Sequence, residues 1–213
     1  MSVYLSKGNR KIYKSHVFNL PVRITCPCAT KMCKAACYSK PQESLYPQVK
    51  PCRMRNLEAS KQKDFVQFMI KTLNESKIKR VRIHESGDFY NQTYLNKWVQ
   101  IIANCPDTKF WTYSKSYKLD FRSASLLKNF RLRISVDATS DKAAWTQPIP
   151  LAILRSEELP GVFTCPASKE AGHKIRCMKD CFFCADKPHA VLFLPHGTYK
   201  NKVHAFELEV TNG

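Results

Sequence analysis

Eight of the ten cysteines in this chain fall into two short segments, and grouped thiols of this kind can do chemistry. The first group is Cys26, Cys28, Cys33 and Cys37. The second group is Cys165, Cys177, Cys181 and Cys184. Clustered thiols either pair as disulfides or bind a metal as thiolates. The cellular compartment and the elements around each group decide between these two uses.

The compartment favours metal binding. The sequence has no run of about 18 apolar residues, so it predicts no membrane span and no membrane partner. Residues 1–14 are basic but lack an apolar core, so they do not resemble a secretory signal. We therefore expect a cytoplasmic protein. Because the cytosol keeps thiols reduced, metal ligation is favoured over disulfides.

The two groups differ in spacing. Cys26, Cys33 and Cys37 are separated by six and then three residues, which is irregular for a zinc ribbon. Three thiolates on one loop suit a four-iron cluster with one iron left open, and zinc with Cys28 as fourth ligand is the alternative. The second group supplies a complete set of four thiolates, for structural zinc or for a second 4Fe-4S cluster. Cys52 and Cys105 have no partners in sequence, and we expect Cys105 to pack in the core.

Segments with strand and helix patterns alternate along the 213 residues. Apolar segments predict strands at 17–24, 81–84, 109–113, 132–136, 150–154, 161–164 and 190–194. Helical spacing covers 56–73, Asn91 can cap the next helix, and Asp120 can cap a third that runs to about Asn129. This alternation predicts an α/β fold with a mostly parallel sheet in an open or partial (βα) barrel. We expect residues 1–160 to form the barrel and residues 161–213 to add strands and a Cys-rich metal-binding segment, packed as one unit.

Polar residues follow the predicted strands. Ligands gather at the carboxyl ends of parallel strands, so the residues at those ends are the candidates for a site. They are the first cysteine group, the turn Ser86-Gly87-Asp88, Lys115, the pair Ser135 and Asp137, and Cys165. All of them are expected to face one common opening at the carboxyl edge of the predicted sheet. The plain alternatives are a turn capped by Asp88, a surface lysine and a solvated pair at a strand end.

Several segments together resemble a known family. They are TCPCAT at 25–30, the Cys33 to Tyr38 segment, RIHESGDFY at 82–90, FWTYSKS at 110–116 and the late cysteines. They are similar to the phage gene product eighty-eight family over roughly residues 18–197. The layout also resembles an atypical radical S-adenosylmethionine (SAM) protein, although the usual CxxxCxxC spacing is absent.

The resemblance implies roles for the candidate residues. Cys26, Cys33 and Cys37 would bind a 4Fe-4S cluster whose fourth iron takes the amino and carboxylate groups of SAM. The SGD turn (Ser86, Gly87, Asp88) would meet the methionine amino group, and Ser135 and Asp137 the ribose or carboxylate. Lys115 would bind a SAM carboxylate or a substrate phosphate. Such an enzyme needs an external electron donor, and a phage origin would place it in the host cytoplasm.

Charge points to the class of partner. The net charge is +18, and residues 1–80 carry 17 Lys and Arg against 4 Asp and Glu. A basic surface of this kind suits nucleic acid or a nucleotide as substrate. The leading hypothesis is therefore a SAM-dependent radical enzyme acting on nucleic acid or a nucleotide. The alternatives are a zinc-stabilised nucleic-acid-binding protein and a metal-dependent hydrolase that uses His84, Glu85 and Asp88.

Overall fold

A computed structural model describes residues 2–8, 12–168, 175–196 and 199–212. Its strands are β1 (Leu5–Lys7), β2 (His16–Phe18), β3 (Arg80–Ile83), β4 (Lys109–Ser114), β5 (Phe130–Val136), β6 (Leu151–Leu154), β7 (Phe163–Thr164) and β8 (Val191–Phe193). They form one sheet in the order β1-β2-β3-β4-β5-β6-β8-β7. Only the β1–β2 pair is antiparallel. The α/β class and the mostly parallel sheet are confirmed, and the sheet is open because β1 and β7 are its edges.

Helices connect the parallel strands. They are α1 (Lys31–Ala35), α2 (Ser39–Leu45), α3 (Val49–Lys61), α4 (Phe65–Glu75), α5 (Gln92–Ala103), α6 (Arg122–Ser125), α7 (Lys142–Trp145), α8 (Phe183–Asp186) and α9 (Lys200–Asn212). The side chain of Asn91 accepts a hydrogen bond from Tyr94 N at 2.8 Å, which confirms the predicted cap of α5. Among the described residues, no helix is long and apolar enough to cross a membrane.

The two faces of the sheet have different coverings. Because strand side chains alternate, Val81, Phe110 and Ile134 face one way and pack with buried helix residues such as Trp98. Trp111 faces the other way and packs with Cys165, Cys184 and Met178 of the C-terminal segment. The second cysteine group therefore lies against the face that the main helices leave free. β7 and β8 extend the same sheet, so the proposed boundary at residue 160 stays a prediction.

Three sequence predictions of element bounds were wrong. The predicted helix at 56–73 is two helices, because the backbone becomes extended at Gln62. Lys97 Nζ donates to the carbonyls of Ser60 and Gln62 at this break. The first strand stops at Phe18 instead of reaching residue 24. The helix expected from Asp120 to about Asn129 is the four-residue α6.

The early stop of β2 has a local cause. Beyond Phe18, the side chain of Asn19 accepts hydrogen bonds from Glu85 N at 2.8 Å and from Ser86 N at 3.0 Å. The Asn19 side chain thus takes two backbone donors of the turn after β3, and regular strand pairing ends at Phe18. The segment that enters the first cysteine group is thereby tied to the turn after β3.

Candidate functional site

The turn after β3 fixes the entry to the first cysteine group. Leu20 N donates to Ser86 O at 2.9 Å, and Ser86 Oγ donates to Leu20 O at 2.8 Å. Gly87 has φ of +78°, and a Cβ there would lie 2.5 Å from Leu20 Cβ and from Thr25 Oγ1. Only glycine allows both this backbone conformation and this close approach. Ser86 and Gly87 therefore position the loop that carries Cys26.

Asp88 joins the ends of β3 and β4. Its Oδ1 accepts hydrogen bonds from Phe89 N at 2.7 Å and Ser114 Oγ at 2.6 Å, and its Oδ2 accepts one from Lys115 N at 2.7 Å. Burial raises the pKa of this carboxyl to about 6, although the hydrogen bonds oppose the rise. The structure thus gives Asp88 three protein donors. It connects the ends of β3 and β4 through hydrogen bonds, and its charge acts to raise the pKa of Cys26 in the cysteine loop.

Lys115 and Asp137 form a buried ion pair at the ends of β4 and β5. Lys115 Nζ lies 2.6 Å from Asp137 Oδ2, and the two side chains are 15% and 1% exposed. Thr30 Oγ1 donates to the same carboxylate oxygen at 2.7 Å. Burial acts to raise the pKa of Asp137, but Lys115 and the hydrogen bonds outweigh it, so the pKa falls below its ordinary value. Asp137 is therefore a stable anion at neutral pH.

This ion pair connects directly to the cysteine loop. Thr30 is the N-cap of α1, and its Oγ1 accepts a hydrogen bond from Cys33 N at 3.0 Å. Asp137 also accepts hydrogen bonds from Thr139, whose Oγ1 in turn accepts one from Met32 N at 3.0 Å. The end of β5 consequently orients the short helix that carries Cys33.

Cys26, Cys33 and Cys37 lie close enough to affect one another. Burial raises the pKa of Cys26 to about 12, and Asp88 and the other two thiols add to the rise. Burial raises the pKa of Cys33 to about 11, although Lys115 opposes it. Buried thiols such as those of Cys26 and Cys33 become thiolates together only when a positive centre compensates their charge. The three thiols are therefore neighbours that interact electrostatically.

Cys28 occupies different surroundings. Burial and then Asp88 raise its pKa, and Lys118 and Asp141 are among its charged neighbours. It lines a cavity of about 220 Å³ at the ends of β4 and β5. The polar groups of that cavity include Thr30, Lys115, Tyr117, Lys118, Ser135, Ser140 and Asp141. Cys26, Cys33 and Cys37 do not line it, so Cys28 is separated in position from the other three.

Most of this cavity could not be recognised from the strand ends alone. Lys115 and Ser135 were expected there, but Thr30, Tyr117, Lys118 and Asp141 were not. Tyr117 Oη and the Asp141 carboxylate are in hydrogen-bond contact. Tyr117, Lys118 and Asp141 follow β4 and β5 by a few positions, so a wider window at the strand ends would have included them, while Thr30 lies between Cys28 and Cys33 in the first cysteine group.

The second cysteine group is more buried than the first. Cys165 and Cys184 are buried, and Met178 N donates to Cys181 O at 2.8 Å in the turn between the other two cysteines. Burial raises the pKa of Cys177 to about 12, and Cys165, Cys184 and Cys181 contribute to the rise. The four thiols are therefore neighbours in space, as well as in sequence.

Two arginines supply positive charge beside this group. Arg133, 1% exposed, donates to the carbonyls of His189 at 2.7 Å, Cys184 at 2.9 Å and Lys187 at 2.6 Å. Arg82 lies over the ring of Tyr113, 4.9 Å from its centroid. Burial raises the pKa of Cys184, and Arg133 and Arg82 act to lower it. The two cations thus offset part of the rise in pKa that burial causes at Cys184.

None of the ten cysteines forms a disulfide. Across the described ranges, no three His, Cys, Asp or Glu side chains converge closely enough to hold a metal ion. Cys105 is buried in the helix-side core, as expected, and Cys52 lies half-buried on α3.

His84, Glu85 and Asp88 have separate surroundings. His84 Nε2 lies 2.9 Å from Tyr94 Oη, and its ring packs among Phe18 and Phe89. Burial and the nearby Arg82 lower the pKa of His84 to about 3. Asp88 is engaged by the three donors described above. The hydrolase hypothesis therefore gains no support from the geometry.

Together, the fold and these groups define an α/β protein with one cysteine group at the carboxyl edge of its sheet and another against one face. The chain belongs to the Gene product 88 family, whose sequence model matches residues 3–202. It is similar to the Gene 88 protein of Mycobacterium phage L5, with 25% identity over 90% of this chain and 92% of the relative. It is also similar to the Gene 88 protein of Mycobacterium phage D29, with 27% identity over 63% of this chain and 62% of the relative. No solved structure matches the chain significantly.

Proposed function

We propose that this protein is an iron–sulfur, SAM-dependent radical enzyme whose substrate is nucleic acid or a nucleotide. The observation that carries the proposal is the placement of Cys26, Cys33 and Cys37 beside a buried Lys115–Asp137 pair at the carboxyl edge of the sheet. Cys28 lies in a separate cavity, which leaves three thiols as ligands. Three ligands leave a coordination position for a small molecule.

The sheet order is consistent with a partial (βα) barrel. β2 to β6 are neighbours in chain order and are parallel, which is the arrangement of successive (βα) units. The polar groups of the proposed site follow four of these strands. Ligands bind at this edge in parallel α/β proteins generally, so the placement supports a binding role for the residues found there.

Different residues of this edge would bind the cluster, position the cysteine loop and attract the carboxylate of SAM. Cys26, Cys33 and Cys37 would hold a 4Fe-4S cluster, which when bound supplies the one-electron reduction that radical chemistry on SAM requires. Ser86 and Gly87 hold the cysteine loop against β3. Lys115 and Ser135 line the 220 Å³ cavity, where the ammonium of Lys115 can attract a carboxylate.

Asp88 and Asp137 act mainly through their neighbours. Asp88 fixes the backbone of Lys115, and Asp137 holds the Lys115 side chain and the cap of α1. Both carboxylates thereby set the distance between the cavity and Cys33. Their roles in SAM binding are thus positional, in place of the direct contacts that the resemblance implied.

The second cysteine group would form a closed site with four thiolates. Arg82 and Arg133 offset part of the negative charge that four thiolates bring into a buried place. A second 4Fe-4S cluster and structural zinc both suit four sulfur ligands. In either case, all four positions on the metal centre are taken, so we assign this group a structural or electron-carrying role.

The test is formation of 5′-deoxyadenosine from SAM by anaerobically purified protein with a chemical reductant. We expect wild-type protein to form it, Cys33→Ala to abolish it, and Cys52→Ala to leave it unchanged because Cys52 lies outside both groups. Absence of the product from iron-loaded wild-type protein would refute the proposal. The zinc-stabilised nucleic-acid-binding alternative predicts no product from any of the three proteins.

A further inference from the structure

A second cavity, of about 300 Å³, adjoins the first cysteine group on the side of Cys37. Its charged lining consists of four cations, Arg23, Lys34, Lys40 and Lys202. In the part of the chain that the structure describes, no Asp or Glu lines it. We refer to these four side chains and the cavity between them as the basic pocket.

The charges of the basic pocket are uncompensated. Within the described residues, none of the four side chains forms an ion pair with a carboxylate. All four are exposed, so they are available to a ligand. Four like charges around one opening repel each other, and an anion with several negative groups relieves that repulsion.

The pocket is assembled from distant parts of the chain. Arg23 precedes the cysteine loop, Lys34 lies on α1, Lys40 on α2 and Lys202 on α9. The contact between α1 and α9 brings the last helix to the loop. The basic pocket is thus a product of the tertiary fold, and a run of basic residues in the sequence does not account for it.

One tyrosine lines the basic pocket, and a second follows one of its lining residues in the sequence. Tyr199 is part of the lining, and Tyr38 comes directly after the lining residue Cys37. The hydroxyl of Tyr38 donates to Glu85 O at 2.5 Å, while the residue remains 49% exposed. Cations that follow a phosphate backbone and rings on which bases stack are the two components of single-strand binding sites.

We propose that the basic pocket binds the phosphate backbone of a single-stranded nucleic acid and places a nucleotide next to Cys37. Duplex DNA is less suited, because its bases are already stacked and cannot use Tyr38 and Tyr199. The identification of the bound strand as the substrate rests on the function proposed above. The binding itself depends only on the charges and rings described here.

The experiment is fluorescence anisotropy with labelled single-stranded DNA and RNA of about 12 nucleotides, titrated at several salt concentrations. The variant is Lys34→Gln/Lys40→Gln. Its control is Lys79→Gln/Lys128→Gln, which removes the same charge from two exposed lysines just before β3 and β5, at the opposite edge of the sheet. A duplex of the same length serves as the competitor.

We expect wild-type protein to prefer a single strand to the duplex. Each lost phosphate contact reduces the slope of log K against log salt by about 0.7, so the pocket variant should lose roughly 1.4 and the control almost nothing. Equal losses in both variants, a preference for duplex, or no binding would overturn the inference. None of these results affects iron content or cleavage of SAM, so failure here is distinguishable from failure of the proposed function.

Discussion

The two cysteine groups use the same donor atoms in contrasting surroundings. The four cysteines of the first group are all half-buried, on a loop held by turns and a buried ion pair, with a cavity on either side. The second group is packed between the sheet and the C-terminal segment, and the buried Arg133 and the half-buried Arg82 accompany it. All four cysteines of the first group are half-buried, while Cys165 and Cys184 of the second are buried. The two groups therefore differ in the burial and in the neighbouring charges of their sulfur atoms, and not in the type of donor atom.

The largest expected effect on the free energy of unfolding comes from replacing Arg133, which lies beside the second group. Replacement by Met leaves three carbonyls without their donor, among them the buried carbonyl of Cys184, and removes a cation beside that cysteine. We expect a loss of roughly 3–5 kcal/mol in the free energy of unfolding, measured by urea denaturation. The exposed Arg122→Met is the control, and a loss below about 1 kcal/mol for Arg133→Met would contradict a structural role for this side chain.

Gly87→Ala tests the first group. The new Cβ meets Leu20 and Thr25 at 2.5 Å, and φ there is +78°. We expect a destabilisation of about 3 kcal/mol, together with reduced iron binding by the loop.

The matched control is Gly161→Ala. Gly161 has φ of +77°, but nothing lies within 4 Å of its added Cβ, so only the backbone strain of about 1 kcal/mol should remain. Equal destabilisation in the two alanine variants would show that the packing of the turn against the cysteine loop is unimportant.

The pH dependence of the free energy of unfolding should reflect His84, which is buried in the core. Its pKa falls to about 3 in the folded protein against 6.5 for the free side chain, so below pH 6.5 the unfolded chain binds more protons. The stability is thus complete above pH 6.5 and declines as the pH falls towards 3, by about 2 kcal/mol at pH 5. His84→Asn, which suits the φ of +64°, should flatten that decline in urea denaturation at pH 7 and pH 5. If His84→Asn loses as much stability between pH 7 and pH 5 as the wild type, other groups cause the decline.

Much of the fold could be predicted from the sequence, because alternating apolar strands and amphipathic helices carry a strong periodic signal. The strands at Arg80–Ile83 and Lys109–Ser114 and the Asn91 cap are examples. The early end of β2 depends on hydrogen bonds between Asn19 and the turn at residues 85–86, about 66 residues away, and local patterns do not contain that information.

The candidate site could be predicted only in outline. The strand-end rule found Asp88, Lys115 and Asp137, which the structure brings together through hydrogen bonds and an ion pair. It did not show that both carboxylates are engaged by protein donors. It also gave no sign of the basic pocket, because Lys202 reaches the loop only through the packing of α9 on α1.

The most direct test of the contrast between the groups is the iron and sulfide content of anaerobically purified wild-type, Cys28→Ser and Cys33→Ser proteins. We expect equal contents in wild type and Cys28→Ser, and a loss of about four irons and four sulfides per chain in Cys33→Ser. Cys28→Ser that loses as much iron as Cys33→Ser, or wild-type protein that contains zinc and no iron, would contradict this expectation.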